Sequence, residues 1–367
     1  MATKKSVEDH AKEQLLASMM QRRKKTESAD SNSQTLYGPL FTKEEVEEIK
    51  EPYSKHFTEV PAGHKDFDVS SILFNDDVWD EEDREFIPSQ SKFDKYHRDP
   101  AVFYPLVLGL VKDMNTLIHG PTGCGKSTSV ECIASICRWP FLRVNGREDM
   151  ESDALIGRAW VNHGSMSWMM GSLPIARQKG WLVLMDEPFK MPAGIQMTLQ
   201  RMYERGGILQ IDDMPGTLKD KQIIPDSRTR LILADNVAGT GDNMDKYAAT
   251  QIQDTSTLNR MEIVVEADYL PTWAEQSMIE NKYPHITRNW AARMVQTANL
   301  VRSGFKKGEL SSTMSTRQLY TWCELAQTVG SYRLSFNMIM NGRFGEEAEK
   351  VALQNLYATV MGSDSTL

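Results

Sequence analysis

The chain has 367 residues, and 42 Lys and Arg against 50 Asp and Glu leave a formal charge of −8. Hydrophobic residues at 40% and charged residues at 25% are those of a globular chain, long enough for two or three units at about 150 residues each. These values exclude a wholly disordered chain and a general nucleic-acid coat, and no run approaches the roughly 20 apolar residues that cross a bilayer. Residues 1–35 are polar, with the basic run Gln21, Arg22, Arg23, Lys24, Lys25 and a Ser-rich stretch, and read as a solvated tail without a secretory leader. Leu15, Leu16, Met19 and Met20 leave open a helix formed on a partner. Residues 36–100 form an acidic, partly helical region. The stretch 43–50 (KEEVEEIK) has an amphipathic pattern, and 76–85 (DDVWDEEDRE) concentrates acid around one Trp. That acidic run reads as a solvated face or linker, with a docking site for a basic partner as the alternative.

From 101 to 270 the texture changes. An apolar run at 114–119 leads into a Gly-rich loop, and 129–137 continues as a helix with Val130, Ile133, Ala134 and Ile136 inward. Further strands are predicted at 141–144, 181–185, 231–234 and 261–265, with helix patterns such as 194–204 between them. Apolar strands alternating with helices predict an α/β domain, a parallel sheet covered on both faces. From 271 to 367 the strand signals stop, and 275–280, 289–301, 316–329 and 346–361 read as a separate helical domain. Four cysteines cannot staple a chain of this length. Cys132 and Cys137 lack C-x-x-C spacing and no His/Cys cluster completes a zinc site, so the thiols read as reduced and the protein as cytosolic.

The chemistry concentrates in two motifs. Gly120-Pro121-Thr122-Gly123-Cys124-Gly125-Lys126-Ser127, followed by Thr128, fits the phosphate-binding P-loop at every required position. Glycines let the loop turn its N–H groups toward phosphate, and the helix that follows adds its positive end. Lys126 is placed to reach the β- and γ-phosphates of ATP, and the Ser127 hydroxyl to bind Mg²⁺. The strand Trp181-Leu182-Val183-Leu184-Met185 ends in Asp186 and Glu187. Beside a P-loop, Asp186 belongs to the magnesium shell and Glu187 polarises the attacking water. Four further positions gain meaning from these. Asn236 can orient that water, or simply form a turn. Arg260 can reach a neighbour's γ-phosphate as an arginine finger, or form a surface salt bridge. Arg317 begins a helix and can fold back on the nucleotide, or stand exposed in a first turn. Arg230 is a candidate second interface arginine.

This set resembles the AAA+ ATPases, more narrowly their MoxR branch and the CobS-type subunits of aerobic cobaltochelatases. The segments HGPTGCGKST, WPFLRVNG, LQRMYERGGILQIDD, NVAGTGDNMDKYAATQIQDTSTLNR and STMSTRQLYTWCELA carry the resemblance, which spans residues 100–335. The sequence departs from the family pattern at Asn259 (Asp in the family), Thr316 (Pro) and Ala249 (Gly). The resemblance implies an AAA+ core followed by a helical lid, a Mg²⁺-dependent ATPase in a homo-oligomeric ring, a hexamer, and a von Willebrand A-type partner. A large chelatase subunit would be the site of Co²⁺ insertion into a corrin ring. The alternative is a MoxR-like remodeller of another protein complex; no membrane or nucleic-acid role is expected. Two insertions fit the branch. Residues 159–170 read as a hairpin, and 208–224 as a second one turning near Met214, Pro215 and Gly216. In related proteins such insertions face the ring pore or its axial surface, where Trp160, Met166, Trp168 and Met169 would grip a partner. The alternative is that they pack on their own domain.

Overall fold

In the computed structural model the described residues are 69–94, 96–162, 165–236 and 255–362. The tail 1–35, the 43–50 pattern, the turn at 163–164 and most of the NVAGTGDNMDKYAATQIQD segment, with Ala249, lie outside them.

Strands β1 (Thr116–His119), β2 (Phe141–Asn145), β5 (Leu182–Asp186), β8 (Arg230–Asp235) and β9 (Ile263–Glu266) form one five-stranded sheet in the order β2-β5-β8-β1-β9. Every neighbouring pair is parallel. All strands therefore end at the same edge, and register pairs His119 with both Asp235 and Glu266, and Asn145 with Asp186. Alternation along each strand feeds two cores. Ile118, Leu182, Leu184, Ile232 and Ala234 pack on one face; Leu117, Val183, Met185, Leu231 and Leu233 pack on the other. The α/β architecture with a parallel sheet is as the residues predict.

The first face is covered by α1 (Pro100–Lys112) and α2 (Lys126–Ile136). Helix α1 was not foreseen, although Asp99 caps it by accepting from the Ala101 amide at 3.0 Å and Pro100 opens its first turn. Val102, Phe103, Leu106, Val107 and Leu110 are its buried stripe. The other face takes α3 (Ser172–Lys179) and α4 (Ala193–Leu199).

The acidic run of 76–85 is tied down within the chain. Trp79 is buried, donates through Nε1 to the Arg138 carbonyl at 2.8 Å, and lies under the Arg228 guanidinium. Asp76 pairs with Arg138 at 2.6 Å, and buried Asp83 with Lys179 at 2.5 Å. Packing of Trp79 explains the outcome: its burial draws the neighbouring acids onto the basic rim of the core. The docking alternative retains only outward acids such as Asp77 and Glu82.

The hairpin of β3 (Gly157–Asn162) and β4 (Ser165–Met170) forms as predicted, with Ala159 opposite Trp168 and Val161 opposite Met166. Strands β6 (Leu209–Gln210) and β7 (Gln222–Ile223) make a much shorter second hairpin. Beyond the sheet, α5 (Thr272–Lys282), α6 (Arg288–Lys306), α7 (Thr316–Val329), α8 (Tyr332–Met340) and α9 (Glu347–Met361) enclose a third core. In it Phe336 stacks between Trp322 and Tyr357 at centroid distances of 4.9 and 4.8 Å. A capping box, in which Ser315 and Gln318 serve each other's backbone amides, starts α7 at the predicted position. Among the described residues no helix is long and apolar enough to cross a membrane.

Candidate nucleotide site

The site follows from the sheet edge. The loop after β1 turns at Gly120, Gly123 and Gly125, whose φ angles of 154°, 75° and 106° only glycine adopts readily. Two of these glycines also permit close contacts. A Cβ on Gly120 would lie 1.9 Å from the Ala267 carbonyl, and one on Gly123 would lie 2.5 Å from Ser315 Cβ. The start of α7 therefore rests directly on the loop.

Lys126 is buried, and its Nζ donates to the carbonyls of Gly120 (2.7 Å) and Pro121 (3.1 Å) and to Asn236 Oδ1 (3.0 Å). Burial pushes its pKa below the usual lysine value, while Cys124, Asp186, Asp235 and Glu187 pull it back up. Ser127 Oγ donates to Asp186 Oδ2 at 2.7 Å. Glu187 sits in left-handed backbone, φ 53° and ψ 45°, with its N–H on the Ala234 carbonyl at 2.7 Å. Such a conformation costs about 1–2 kcal/mol for a side chain with a Cβ. Gly146 makes room for it, since a Cβ there would meet the Glu187 carbonyl at 2.1 Å. The Glu187 carboxylate is engaged on both oxygens: Asn236 Nδ2 donates to Oε1 and Lys190 Nζ to Oε2, each at 2.7 Å. Asn236 thus bridges Lys126 and Glu187, and also accepts from Thr122 Oγ1 at 3.2 Å.

Gly120 to Ser127, Asp186, Glu187 and Asn236 are therefore brought together, with half-buried Thr128 one step along α2. The arginines lie apart. Arg260 Nε contacts Glu204 Oε1 at 3.3 Å on the outer surface. Arg317 is exposed, two residues beyond the Ser315 that touches Gly123. Arg230 stands at the opposite end of its strand, where it donates to the carbonyls of Leu110, Ser227 and Thr229 and approaches Asp113 at 3.4 Å. Its partners belong to its own chain, at the end of the sheet away from the loop. Arg230 anchors α1 to the start of β8 through the Leu110 carbonyl.

Four residues were missed. Arg143 on β2 donates to Asp186 Oδ2. Lys190 clamps Glu187. The Tyr269 hydroxyl donates to the Thr122 carbonyl at 3.1 Å, and the Arg302 guanidinium lies 3.9 Å from the Tyr269 ring centre. Arg302 is held bidentately by buried Glu275, at 2.7 and 2.9 Å, and Thr316 Oγ1 donates to the same carboxylate at 2.7 Å. Arg143 lies two residues before Asn145 on the strand beside the Asp-Glu strand. The donor set suits a magnesium nucleotide. The glycine turns pack the loop against Ala267 and Ser315 with no room for a Cβ, and Ser127 and Asp186 offer adjacent oxygens to a hard cation.

Comparison with known proteins agrees with this geometry. Residues 115–251 match the AAA domain (dynein-related subfamily), and residues 275–360 match the CbbQ/NirQ/NorQ C-terminal domain. The chain thus carries an AAA domain followed by a C-terminal domain of the CbbQ/NirQ/NorQ kind. This AAA+ chain is 28% identical over 292 residues to the aerobic cobaltochelatase subunit CobS of a Sinorhizobium species, covering 75% of the chain and 86% of the relative. It is 25% identical over 206 residues to the denitrification regulatory protein NirQ of Stutzerimonas stutzeri, covering 56% and 70%. NorQ of Paracoccus denitrificans is 31% identical over 100 residues, 27% of this chain and 37% of NorQ. These similarities support the MoxR-type branch of the AAA+ proteins.

Proposed function

We propose that the chain is a Mg²⁺-dependent ATPase that works as a ring, a hexamer, and drives a partner assembly of the cobaltochelatase type. The observation that carries the ATPase reading is the joined network Lys126–Asn236–Glu187 beside the Ser127–Asp186 pair. Lys126 holds the β- and γ-phosphates of ATP. Ser127 and Asp186 would hold Mg²⁺, which would neutralise the charge that builds on the transferring phosphoryl group. Asn236 and Glu187 position the attacking water, and Glu187 takes its proton as the water oxygen bonds to phosphorus and ADP departs. Arg260 serves the neighbouring subunit's γ-phosphate, and Arg317 links the nucleotide to the lid.

The chelatase reading is supported by the length of the match to CobS, against the shorter stretches shared with NorQ and NirQ. Among the described residues no group of three or more His, Cys, Asp and Glu is placed to hold a metal ion. Insertion is done with a von Willebrand A-type protein and a large chelatase subunit, in the cytoplasm, with Co²⁺ and a corrin ring as substrates. The second reading, remodelling of another complex with a von Willebrand A-type partner, is favoured by the CbbQ/NirQ/NorQ match over the lid. The deciding measurement is ATP-dependent Co²⁺ insertion into a corrin with the cognate large and von Willebrand A-type subunits present. Insertion supports the first reading; an ATPase-active ring that never supports it leaves the second. Mixing Arg260→Ala with Lys126→Ala subunits tests the ring. Recovery of hydrolysis in proven co-assemblies is expected, and none would remove Arg260 from the neighbour's site.

A further inference from the structure

One oxygen of Asp186 carries two donors. Oδ2 accepts from Ser127 Oγ at 2.7 Å and from the Arg143 guanidinium. Arg143 lies on β2, the outer strand of the sheet, two residues before the Asn145 that pairs with Asp186 in register. Residues two apart on a strand share a face, so the guanidinium reaches Asp186 along the sheet surface. The Arg143 side chain is 44% exposed and that of Asp186 11%. The acid is thus nearly enclosed while the base can leave toward solvent. A cavity of about 590 Å³ adjoins β2, lined by Arg143 itself together with Asn145, Arg147 and Asp149. It gives the guanidinium room to move, and Asp149 in its wall already pairs with Arg147 at 3.6 Å.

We propose that Arg143 is a placeholder for Mg²⁺ on Asp186. It neutralises the carboxylate while the metal is away, and it must release Oδ2 before Ser127 and Asp186 can act together on the cation. The proposal rests on the ATPase reading above. Magnesium demands near-octahedral oxygen ligation at short range, and a dication repels a guanidinium held on the same oxygen. Metal arrival and Arg143 release are therefore one exchange, with the cavity receiving the side chain. Arg143 is a positioning residue in this scheme, acting on nucleotide only through Asp186.

The test is Mg²⁺-dependent binding of a fluorescent ATP analogue to the full-length chain, read without turnover. Removing Arg143 removes a competitor, so Arg143→Gln should lower the half-saturating Mg²⁺ concentration roughly two- to fivefold, the range a half-exposed ion pair supports. Binding of the analogue in EDTA should weaken, because Asp186 then faces the phosphates without its counter-charge. Arg143→Lys, which keeps the charge but not the planar fork, should fall between the two, and it decides the matter if Arg143→Gln fails to fold. A Mg²⁺ midpoint that stays put or rises in a folded variant overturns the placeholder. Wild-type chain that binds no analogue at any Mg²⁺ concentration sinks the nucleotide reading itself, which separates the two failures.

Discussion

At the strand tips, Glu187 and Lys190 meet with about a third of each side chain open to solvent, at 34% and 31%; in the C-terminal helical region, Glu275 and Arg302 meet with 0% and 5% exposed. Both pairs have an N···O distance of 2.7 Å. Distance therefore does not tell them apart, and burial does. A half-exposed ion pair contributes about 0–1 kcal/mol and can exchange partners as ligands arrive. A buried one cannot be opened without stranding a charge. The strand-tip pair is exchangeable, and the pair in the helical region that rests on the loop through Ser315 is locked.

The largest effects belong to the exchangeable cluster, because its contacts matter to chemistry more than to folding. Glu187→Gln should keep nucleotide bound while hydrolysis falls about 10²- to 10⁴-fold, the span of general-base catalysis. The amide can still accept from Asn236 and Lys190, yet it cannot take a proton from water. Lys126→Ala should lose binding instead, since in the proposed mechanism the ammonium holds the phosphates. Nucleotide-binding and hydrolysis assays on both variants give opposite patterns. Wild-type hydrolysis by Glu187→Gln would remove that residue from the mechanism.

Next in size is the locked cluster. Arg302→Met leaves the Glu275 carboxylate buried without its cation and should cost about 3–5 kcal/mol. Adding Glu275→Gln in the same chain removes the stranded charge and should recover part of that loss. Thermal unfolding of the single and double variants measures both. If Arg302→Met were as stable as wild type, the contrast between the two clusters would fail.

Some parts of this arrangement are legible in sequence because they are local. The P-loop is contiguous, and its glycine positions answer to backbone angles set within the loop. The run Leu182 to Asp186 announces a strand buried on both faces, and the two cores confirm why every residue of it is apolar until the final acid. Other parts depend on packing between distant segments. Arg143 meets Asp186 only because β2 and β5 are neighbours in a chosen register. The acids around Trp79 looked solvated because nothing nearby in sequence shows that Arg138 and Lys179 stand opposite them. Helix α8 was missed after α7 because Gly330 and Ser331 intervene. They cap the end of one helix and the start of the next, with Gly330 at φ 72° and the Ser331 hydroxyl accepting from the Leu334 amide.

Thr316 sharpens the comparison at smaller scale. Where the resembling family has Pro, this chain places a hydroxyl that donates to Glu275 Oε1 at 2.7 Å. Thr316→Val deletes that donor and should cost about 1.5–3 kcal/mol, as expected of a hydrogen bond to a charged group. Thr316→Pro loses the same bond but regains some stability, because proline suits the first helical position and its missing N–H is no loss there. In urea unfolding, Val is expected to fall below Pro, and both below wild type. A Thr316→Val chain with wild-type stability would show that Arg302 alone satisfies Glu275.

The smallest effect on the folded chain is expected in the β3–β4 hairpin, and there the same division by burial recurs among apolar side chains. Trp160, Val161, Met166 and Met169 are exposed, whereas Trp168 is half-buried against the second core and stands against Gly157. Trp168 therefore belongs to the packing of its own domain, and its loss should cost about 2 kcal/mol as a partial cavity. Trp160 faces solvent with Arg158 over its ring at 5.7 Å, and Trp160→Ala should change stability by less than about 0.5 kcal/mol. Basal ATP hydrolysis should also be unchanged, since the hairpin contributes no group to the nucleotide site. If the hairpin carries the motor's force to a partner, Trp160→Ala should nevertheless reduce partner-stimulated hydrolysis and partner-dependent work. An exposed aromatic on a rigid strand can bury a large apolar area in a complex at little cost in conformational entropy. Thermal unfolding, basal hydrolysis and stimulated hydrolysis of Trp160→Ala separate these effects. Full stimulation would move the partner contact off this hairpin.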